Sequence, residues 1–398
     1  MKKITSLSPV GPREFIVLMA LLMSVVAISI DAMVPALGTI GADLGTTSPN
    51  QAQYIISCIF FGMAIGQLIC GPMSDAYGRK RVLFSTIVLY LIGSVVCFSA
   101  HTLPVMLVGR FLQGLGVAGP YVSSVSVIRD KFHGRQMAKI MSLVMMIFIM
   151  VPAVAPALGQ TILFLASWRA IFLLYIIYAL VIIGWVGLRL EETLPPKHRV
   201  KFSVANILKG VTKVLSNRES LCYMICMGFV FGGLMGYLNS CQQIFQGHYA
   251  LGPYFALCFG GLALTFGASS LVNSKLVEKH GMRPLCRRAL LINIGVSAVF
   301  LGINLLMAPP LWMFLIYLAI IFFNFGMLFG NLNALAMEPM GHIAGLASAI
   351  IGAFSSVLSL LVGTLIGQLY NDTLVPITAG FLVLGALSFG TFMLAKPR

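Results

Sequence analysis

Charged residues are scarce in this sequence. Asp, Glu, Lys and Arg together make up 9% of the 398 residues, and only 11 residues are acidic. A typical soluble domain carries about 25% charged residues. Hydrophobic residues reach 59%, and the mean hydropathy is +0.97. A chain with so few charges cannot cover a soluble globule with polar groups, so these values exclude that class and predict an integral membrane protein.

Paired cysteines and clustered histidines are also lacking. The eight Cys are scattered without a C-x-x-C pair, and the six His lie in predicted loops or at the ends of apolar runs. Cys222 and Cys226 share a helix face, but small packing residues explain them better than metal ligands do. Neither a nucleophile–base pattern nor a phosphate-binding loop occurs. The sequence therefore predicts no enzyme, no metal and no other cofactor.

Apolar runs fill most of the chain. Each is about 20 residues long, enough to cross a hydrocarbon core of about 30 Å. There are twelve, covering residues 14–38, 51–73, 82–100, 103–127, 137–163, 168–189, 219–245, 253–275, 286–307, 310–335, 343–368 and 373–395. This pattern predicts an all-α membrane protein with twelve transmembrane helices.

Basic residues concentrate in every second loop. They include Lys2 and Lys3 before the first run, residues 79–81 after the second, and Lys396 and Arg398 at the end of the chain. Basic loops mark the cytoplasmic side of a membrane protein. An even number of crossings puts both termini on one side, so we expect both termini to be cytoplasmic. The net charge of +15 is then a topology signal, and the expected partner is the lipid bilayer rather than nucleic acid.

One long polar stretch interrupts the apolar runs near the middle of the chain. It predicts an N-terminal six-helix bundle over residues 1–190, a cytoplasmic linker over 191–218 and a C-terminal six-helix bundle over 219–398. Within the linker, Lys209 and Lys213 opposite apolar residues predict a short amphipathic helix on the membrane surface. Transporters built from two such halves bind substrate between them, near mid-membrane.

Asp31 is the only carboxylic acid deep within an apolar run. A charge near the bilayer centre costs at least ~2.5–3.5 kcal/mol on insertion scales, so such a residue indicates a function or a compensating partner. Arg110 has a matching depth in the fourth run, since each lies about seven residues, roughly 10 Å, from the same membrane face. We predict that the two pair and serve proton coupling, Asp31 gaining and losing a proton during transport. A static ion pair that only fixes packing remains an alternative.

Amide and phenol side chains form stripes on several apolar runs. A polar stripe faces a protein interior or a wet cavity, because polar groups facing lipid are costly. We predict a shared substrate cavity, with interhelical hydrogen bonding as the alternative for each residue. The predicted lining residues are Tyr54, Ser57 and Phe61 in the second run, Gln113 and Tyr121 in the fourth, Tyr237, Asn239 and Gln242 in the seventh, and Tyr317 and Asn324 in the tenth.

A charged turn follows the second run and reads Gly71-Pro-Met-Ser-Asp75-Ala-Tyr-Gly78-Arg79-Lys80. It resembles the signature loop of the major facilitator superfamily, G-x-x-x-D-x-x-G-R-K, although Ala76 stands where a cation usually follows the acid. A fainter version, Asn273 and then Gly281-Met-Arg283, follows the eighth run. We expect Asp75, paired with Arg129, to latch the cytoplasmic side closed in one state of a transport cycle.

Further motifs make the resemblance more specific. Asp31-Ala-Met-Val-Pro35 matches a D-x-x-x-P pattern in the first helix, Arg110-Phe-Leu-Gln113-Gly114 matches R-x-x-Q-G in the fourth, and Pro152, Pro156 and Gly159 resemble the antiporter motif of the fifth. Prolines bend a helix and glycine permits close helix contact. On these residues the chain resembles the drug:proton antiporters of that superfamily, of the bacterial bicyclomycin/chloramphenicol-resistance type.

The resemblance implies a proton-coupled exporter of small, lipophilic, drug-like compounds in the bacterial inner membrane. It links Arg110 to proton coupling and the fifth-helix motif to export. It implies no cofactor, and we expect a monomer whose partners are substrate, protons and lipid. Departures from the family pattern at Cys241, Gln242 and Gly330 leave the substrate open. The alternatives are a dedicated exporter of one metabolite such as a siderophore, a proton-coupled importer, and a non-transporting membrane scaffold.

Overall fold

The computed structural model describes residues 11–132 and 134–395, in which all regular secondary structure is helical. The helices are α1 Pro12–Asp31, α2 Leu37–Asp43, α3 Tyr54–Tyr77, α4 Arg79–Phe98, α5 Leu103–Lys131, α6 Gly134–Leu165, α7 Arg169–Arg189, α8 Val204–Ser216, α9 Arg218–Gln242, α10 Phe255–His280, α11 Met282–Leu306, α12 Leu311–Met337, α13 Ala344–Gln368 and α14 Val375–Leu394. Lys2, Lys3, Lys396 and Arg398, used to predict the orientation, lie outside the described residues.

Twelve helical segments of the described chain are long and apolar enough to cross a membrane. The helices α1 and α2 form the first segment, and α8 does not belong to the set. The segments coincide in order and approximate bounds with the apolar runs of the sequence. The prediction of an all-α protein with twelve transmembrane helices is therefore confirmed, while the side on which the termini lie stays a prediction.

The membrane helices form two groups that touch along two seams. In the first half, α3 and α4 pack on α5, and α1 packs on α6. In the second half, α9 packs on α13 and α14, and α11 packs on α12 and α14. The halves meet where α3 contacts α13 and where α6 contacts α10. A site near the centre of the molecule is therefore enclosed by helices from both halves.

The two halves share a backbone turn. Gly78, between α3 and α4, has φ 103° and ψ 151°, and Gly281, between α10 and α11, has φ 76° and ψ 162°. This conformation is essentially restricted to glycine. Both turns lie at the end of the molecule that carries residues 190–217, which we call the linker end. The loops at 44–53, 243–254 and 369–374 form the opposite end.

Helix α8 is the predicted amphipathic helix of the linker. The Ser203 side chain accepts a hydrogen bond from the Asn206 N–H and so starts the helix. Gly210 and Val214 face inward, and an added Cβ at Gly210 would contact Leu346 of α13. The helix thus docks on the second half, and its contact with a membrane surface stays a prediction.

Candidate transport site

The first membrane segment is interrupted immediately after Asp31. Helix α1 ends at Asp31, a short 3-10 turn covers Val34–Ala36, and α2 begins at Leu37. Pro35 has no N–H, so it cannot donate the helical hydrogen bond to the Asp31 carbonyl four residues earlier. The D-x-x-x-P motif therefore puts a carboxylic acid at a break in a membrane helix, and such breaks mark substrate and ion sites in many transporters.

The side chain of Asp31 is enclosed at the interface between the halves. The residue is 6% exposed. Within the described part of the chain, its carboxyl group takes part in no hydrogen bond or ion pair. The turn that follows it contacts α6 of the first half and α9 of the second. The Tyr175 hydroxyl donates to the Ile28 carbonyl, three residues before the acid, over 3.1 Å. Helices of both halves therefore lie beside the acid.

Arg110 is fully buried near the end of α1 but does not pair with Asp31. Its Nε donates to the Ile55 carbonyl over 3.1 Å, and its Nη1 donates to the Ser29 carbonyl over 3.0 Å and to Gln113 Oε1 over 2.8 Å. Its Nη2 has no partner among the described residues. The pairing predicted from equal depth is wrong in this structure, because backbone carbonyls of α1 and α3 accept the guanidinium instead.

A polar network around the end of α1 was not predicted from the sequence. The Tyr90 and Ser29 hydroxyls hydrogen bond at 2.7 Å, and the Tyr175 hydroxyl donates to a backbone carbonyl of α1 over 3.1 Å. Gln113 Nε2 donates to Ser94 Oγ over 2.8 Å. The place of Ser29, two residues before Asp31, could have indicated that it belongs to this network. Tyr90 and Tyr175 lie on apolar helices and form no stripe that would have indicated them.

Three predicted lining residues of the first half differ in their surroundings. Gln113 is fully buried in this network, and the Ser57 hydroxyl hydrogen bonds with Thr364 of α13 at 2.9 Å. Interhelical hydrogen bonding, the alternative left open by the sequence, fits these two better than cavity lining does. Tyr121 is half-buried and lies on the same face of α5 as Arg110, since eleven residues make about three helical turns. It stays a candidate for substrate contact.

Tyr54 and Phe61 lie on the outer face of α3. They are 37% and 45% exposed, and the Phe61 ring packs on Phe111 of α5 with centroids 5.6 Å apart. By helical spacing, this face is opposite the buried residues Ile56 and Met63. Such exposure fits a surface that faces lipid as well as an open cavity, so the predicted place of Tyr54 and Phe61 in a cavity stays a prediction. Aromatic residues suit a lipid-facing surface as well as an interior, and sequence alone does not separate the two.

Tyr237 and Asn239 of α9 keep polar atoms without partners among the described residues. Tyr237 is 1% exposed, and its ring packs edge-on against Phe322 with centroids 4.8 Å apart, but its hydroxyl has no hydrogen bond there. Asn239 donates to the Gly363 carbonyl over 3.4 Å, and its Oδ1 lacks a partner. These free groups make the two residues the strongest candidates for contact with a polar group of a substrate.

Tyr317 and Asn324 of α12 are buried within the second half. The Tyr317 hydroxyl hydrogen bonds with Ser297 at 3.0 Å, and its ring stacks on Phe300 with centroids 4.3 Å apart. Asn324 Nδ2 donates to the Ile320 carbonyl over 3.0 Å. Both side chains therefore contribute to packing inside this half, which is the alternative that the sequence left open for them.

A row of phenylalanines joins the halves and was not predicted. Phe60 of α3 meets Phe231 of α9 with centroids 6.3 Å apart, and Phe231 meets Phe329 of α12 at 5.0 Å. Phe231 and Phe329 are only partly buried. Phenylalanine in an apolar helix gives no signal of its environment, so sequence patterns could not identify these residues.

Four amide side chains, here called the amide cluster, close the opposite end of the molecule: Asn50, Gln53, Gln243 and Gln368. Gln53 Nε2 donates to Gln243 Oε1 over 2.6 Å, and Gln243 Nε2 donates to Asn50 Oδ1 over 2.7 Å. Gln368 Nε2 donates to the Asn50 carbonyl over 2.8 Å. In the described part of the chain, every side-chain hydrogen bond between the halves involves this cluster or Ser57.

A cavity of about 350 Å³ lies at the opposite end, lined by residues that include Pro35, Thr39, Gln160 and Gln246. Gln242, a predicted lining residue, reaches it indirectly by donating to Gln246 Oε1 over 3.0 Å. Pro35 is one helical turn beyond Asp31. The cavity therefore approaches the acid from the end that the amide cluster closes.

The charged turn at the linker end forms an ion-pair network that we call the latch. Arg79 Nη1 lies 2.6 Å from Asp75 Oδ1, and Arg79 Nε lies 3.0 Å from Asp130 Oδ2. Arg79 is 4% exposed in spite of its charge. Arg129 is exposed and forms no ion pair with Asp75 within the described residues. The pair predicted for one state of the cycle is absent from this structure and stays a prediction. The end of α5 turns Asp130, rather than Arg129, toward the latch.

Helix α6 runs continuously from Gly134 to Leu165 through Pro152 and Pro156. Gly159 lies against the break after α1, where an added Cβ would overlap the Ala32 carbonyl. The close helix contact predicted for this glycine is therefore present, and it occurs beside the acid.

A protein metal site needs several His, Cys, Asp or Glu side chains at one point. Among the described residues, no group of three or more His, Cys, Asp or Glu side chains is placed to hold a metal ion. The polar atoms of the site are one carboxyl group, hydroxyls, amides and a guanidinium, which suit protons and organic molecules.

Comparison with known proteins identifies the family. The family model described as Major Facilitator Superfamily matches residues 19–364. A Bacillus subtilis protein described as an uncharacterized MFS-type transporter, YdgK, is 32% identical over 390 residues, covering 96% of each chain. A bicyclomycin resistance protein homolog of Haemophilus influenzae is 28% identical over 363 residues, covering 91% of each. The multidrug resistance protein MdtL of Shigella dysenteriae is 29% identical over 326 residues, covering 81% of this chain and 80% of that one.

Solved structures share the fold at low identity. The xylose transporter XylE from Escherichia coli superposes with a TM-score of 0.71 at 12% identity, covering 95% of each chain. The human organic anion transporter MFSD10 gives 0.70 at 15% identity, covering 97% of this chain and all of the other. The family model, the twelve membrane helices and these relatives lead to one conclusion: the chain belongs to the Major Facilitator Superfamily, as a multi-pass transporter of the inner membrane and not an enzyme.

Proposed function

We propose that this transporter is a proton-coupled antiporter that exports small, lipophilic, drug-like compounds across the bacterial inner membrane by alternating access. The observation that carries the proposal is the enclosed carboxyl group of Asp31, which has no partner in the described residues and lies between the halves. Acids in the interior of membrane bundles form the proton relays of many transporters.

Asp31 and Arg110 have different roles in this proposal. A movement of one half against the other changes the surroundings of Asp31, because the turn that follows it contacts α6 of the first half and α9 of the second. Arg110 is bound to backbone carbonyls within the first half. Asp31 therefore carries the proton, and Arg110 holds the end of α1, and with it the acid, in position.

The proposed orientation in the membrane follows from the distribution of cations. The linker end carries basic residues at 79–81, 197–201 and 283–288, and basic segments face the cytoplasm. The termini, the linker and the latch are then cytoplasmic, and the amide cluster faces outward. The division into bundles over 1–190 and 219–398 with a linker over 191–218 is part of this proposal.

In the proposed cycle, substrate enters from the cytoplasm or the inner leaflet while Asp31 releases its proton. The halves then rock, the amide cluster separates, and Asp31 takes up a proton from outside as substrate leaves. The protonated form returns to the first state. Each proton that enters supplies ~2.3 kcal/mol per 100 mV of membrane potential plus ~1.4 kcal/mol per pH unit, enough to drive export against a gradient.

The proposed substrate class is supported by the relatives named for bicyclomycin and multidrug resistance. The partly buried rings of Phe231 and Phe329 offer apolar contact. Tyr237 and Asn239, on opposite faces of α9, each keep a polar atom without a partner among the described residues. Ligand pockets typically combine such apolar walls with a few polar groups. The site therefore suits a compound with an apolar body and at least one hydrogen-bonding group.

Substrate-induced proton release from the purified protein, measured across a compound panel, tests the proposal. Asp31→Asn keeps the shape of the side chain and removes its proton, so it should abolish release and driven efflux while the protein still inserts. Asp372→Asn is the matched control, because Asp372 is exposed in a loop at the opposite end. Normal driven efflux in Asp31→Asn would contradict the proposal. Absence of competition between unrelated compounds would instead favour an exporter dedicated to one metabolite.

A further inference from the structure

The first residues of the linker contact the start of α4. The Glu192 carboxylate accepts hydrogen bonds from the backbone N–H of Arg79 over 2.9 Å and of Lys80 over 3.2 Å. These are the first two residues of α4, whose N–H groups have no partner inside the helix. A carboxylate at a helix N-terminus is also stabilised by the helix dipole. Glu192 thus caps α4 from outside the helix.

The same segment is bound to the other two helix ends of the latch. The Thr193 hydroxyl donates to Asp130 Oδ2 over 3.2 Å, and the Val200 N–H donates to the Asp75 carbonyl over 3.2 Å. Residues 192–200, here called the strap, therefore contact α3, α4 and α5 at once. Asp75, Asp130 and Glu192 are thus joined to Arg79 in one connected network of hydrogen bonds and ion pairs.

Because Gly78 has no side chain, the Glu192 carboxylate has room to lie against it. Its φ of 103° already restricts the position to glycine. In addition, an added Cβ would overlap Glu192 Oε2. The glycine of the charged turn therefore admits the linker carboxylate to the N-terminus of α4.

We propose that Glu192 is a positioning residue of the latch: it holds the start of α4 where Arg79 reaches both Asp75 and Asp130. Arg79 is the first residue of α4, so any shift of this helix end moves the guanidinium directly. After Lys201–Ser203 the strap continues into α8, which docks on α13 of the second half. The linker therefore connects the latch of one half to a helix of the other.

This inference rests on the proposed alternation between states for its effect on transport, but not for the contacts themselves. The variants are Glu192→Ala, which removes the cap, and Glu192→Gln, which keeps one acceptor without the charge. Glu191→Ala is the matched control. Glu191 is adjacent, exposed and of the same charge, and it has no hydrogen bond or ion pair within the described part of the chain.

Hydrogen–deuterium exchange of the full protein in lipid nanodiscs tests the contact. Hydrogen bonds to a charged acceptor are worth enough to slow exchange about tenfold or more. Glu192→Ala should therefore speed exchange at residues 79–80 by about tenfold, Glu192→Gln should lie between, and Glu191→Ala should match the parent. Unchanged exchange in Glu192→Ala would overturn the proposal.

A disulfide reporter tests the positioning role. An added Cβ at Gly71 of α3 lies 3.8 Å from Cβ of Ala349 in α13, a suitable distance for a disulfide. In a protein whose native cysteines are replaced, the pair Gly71→Cys and Ala349→Cys should cross-link several-fold more slowly with Glu192→Ala and normally with Glu191→Ala. A normal rate in Glu192→Ala would reduce Glu192 to a local cap and overturn the positioning role.

Transport kinetics distinguish this inference from the proposed function. Glu192→Ala should lower kcat and leave KM unchanged, because the strap lies at the linker end and, among the described residues, does not contact the proposed substrate site. A rise in KM at constant kcat would contradict it. If the parent protein shows no substrate-linked proton release, the proposed antiport fails, while exchange and cross-linking still decide the role of Glu192.

Discussion

The two halves of this transporter enclose different chemistry. The first half buries Arg110 within a network of hydroxyl, amide and carbonyl groups, next to the carboxyl group of Asp31, which has no partner among the described residues. The second half has no Asp, Glu, Lys or Arg in residues 221–274 and 289–337, and aromatic rings fill its interior. Buried charge requires directional hydrogen bonds, whereas aromatic packing accepts several geometries. We infer that the first half fixes the proton site and the second half adapts to substrate.

Arg110→Lys should lower transport more than any other variant, because it removes the guanidinium that holds the buried network of the first half together. An ammonium cannot reproduce the fork that reaches Ile55, Ser29 and Gln113, and each lost hydrogen bond to a charged group is worth ~1.5–3 kcal/mol. Proton-coupled turnover in vesicles should fall at least about tenfold. Arg169→Lys is the control, since Arg169 is a partly exposed residue at the opposite end. Near-normal turnover in Arg110→Lys would show that the first half is not held as rigidly as we infer.

Gly159→Val should be next in effect. Its side chain would overlap the Ala32 carbonyl beside the acid, and overpacking of this kind costs about 1–3 kcal/mol. Gly261→Val is the control, because an added Cβ there meets no heavy atom within 4 Å. Thermal unfolding in detergent should show a lower Tm for Gly159→Val alone. Equal Tm values would mean that α1 can move away from α6 freely.

Gln243→Leu tests the seam between the halves. It removes hydrogen bonds to Gln53 and Asn50 worth about 1 kcal/mol each, so the population open at the opposite end should rise several-fold. Labelling of Ser57→Cys, which is buried where α3 meets α13, should accelerate accordingly. Gln51→Leu is the control, since among the described residues the Gln51 side chain hydrogen bonds with Thr47 alone, in its own loop. Identical labelling rates in the two variants would rule out closure by the amide cluster.

The smallest effects are expected for two tyrosine variants of the second half, which should differ in stability and in substrate affinity. Tyr317→Phe loses a hydrogen bond to Ser297 and should destabilise the protein by about 1 kcal/mol, whereas Tyr237→Phe should cost less than about 0.5 kcal/mol. Substrate affinity should fall in Tyr237→Phe and stay unchanged in Tyr317→Phe. Titration of substrate binding together with Tm measurement checks both. A loss of affinity in Tyr317→Phe would move the substrate site toward α12.

The sequence was sufficient to predict the helices but not the contacts between their side chains. The length and composition of each apolar run are local, so twelve spans and the enclosure of Asp31 and Arg110 could be predicted. Helix rotation is set by tertiary packing, and one residue of error turns a side chain by about 100°. That is why Asp130, and not Arg129, reaches the latch. Asn50 and Gln53 are amides near a loop, where polarity is ordinary and gives no sign of burial.

The amide cluster has a consequence for how the molecule senses its surroundings. Carboxamides neither bind nor release protons at physiological acidity, so the hydrogen bonds that join the halves at the opposite end keep the same strength in an acidic medium as in a neutral one. Any response of the transporter to acidity must therefore arise at other groups, and in the proposed function it arises at Asp31.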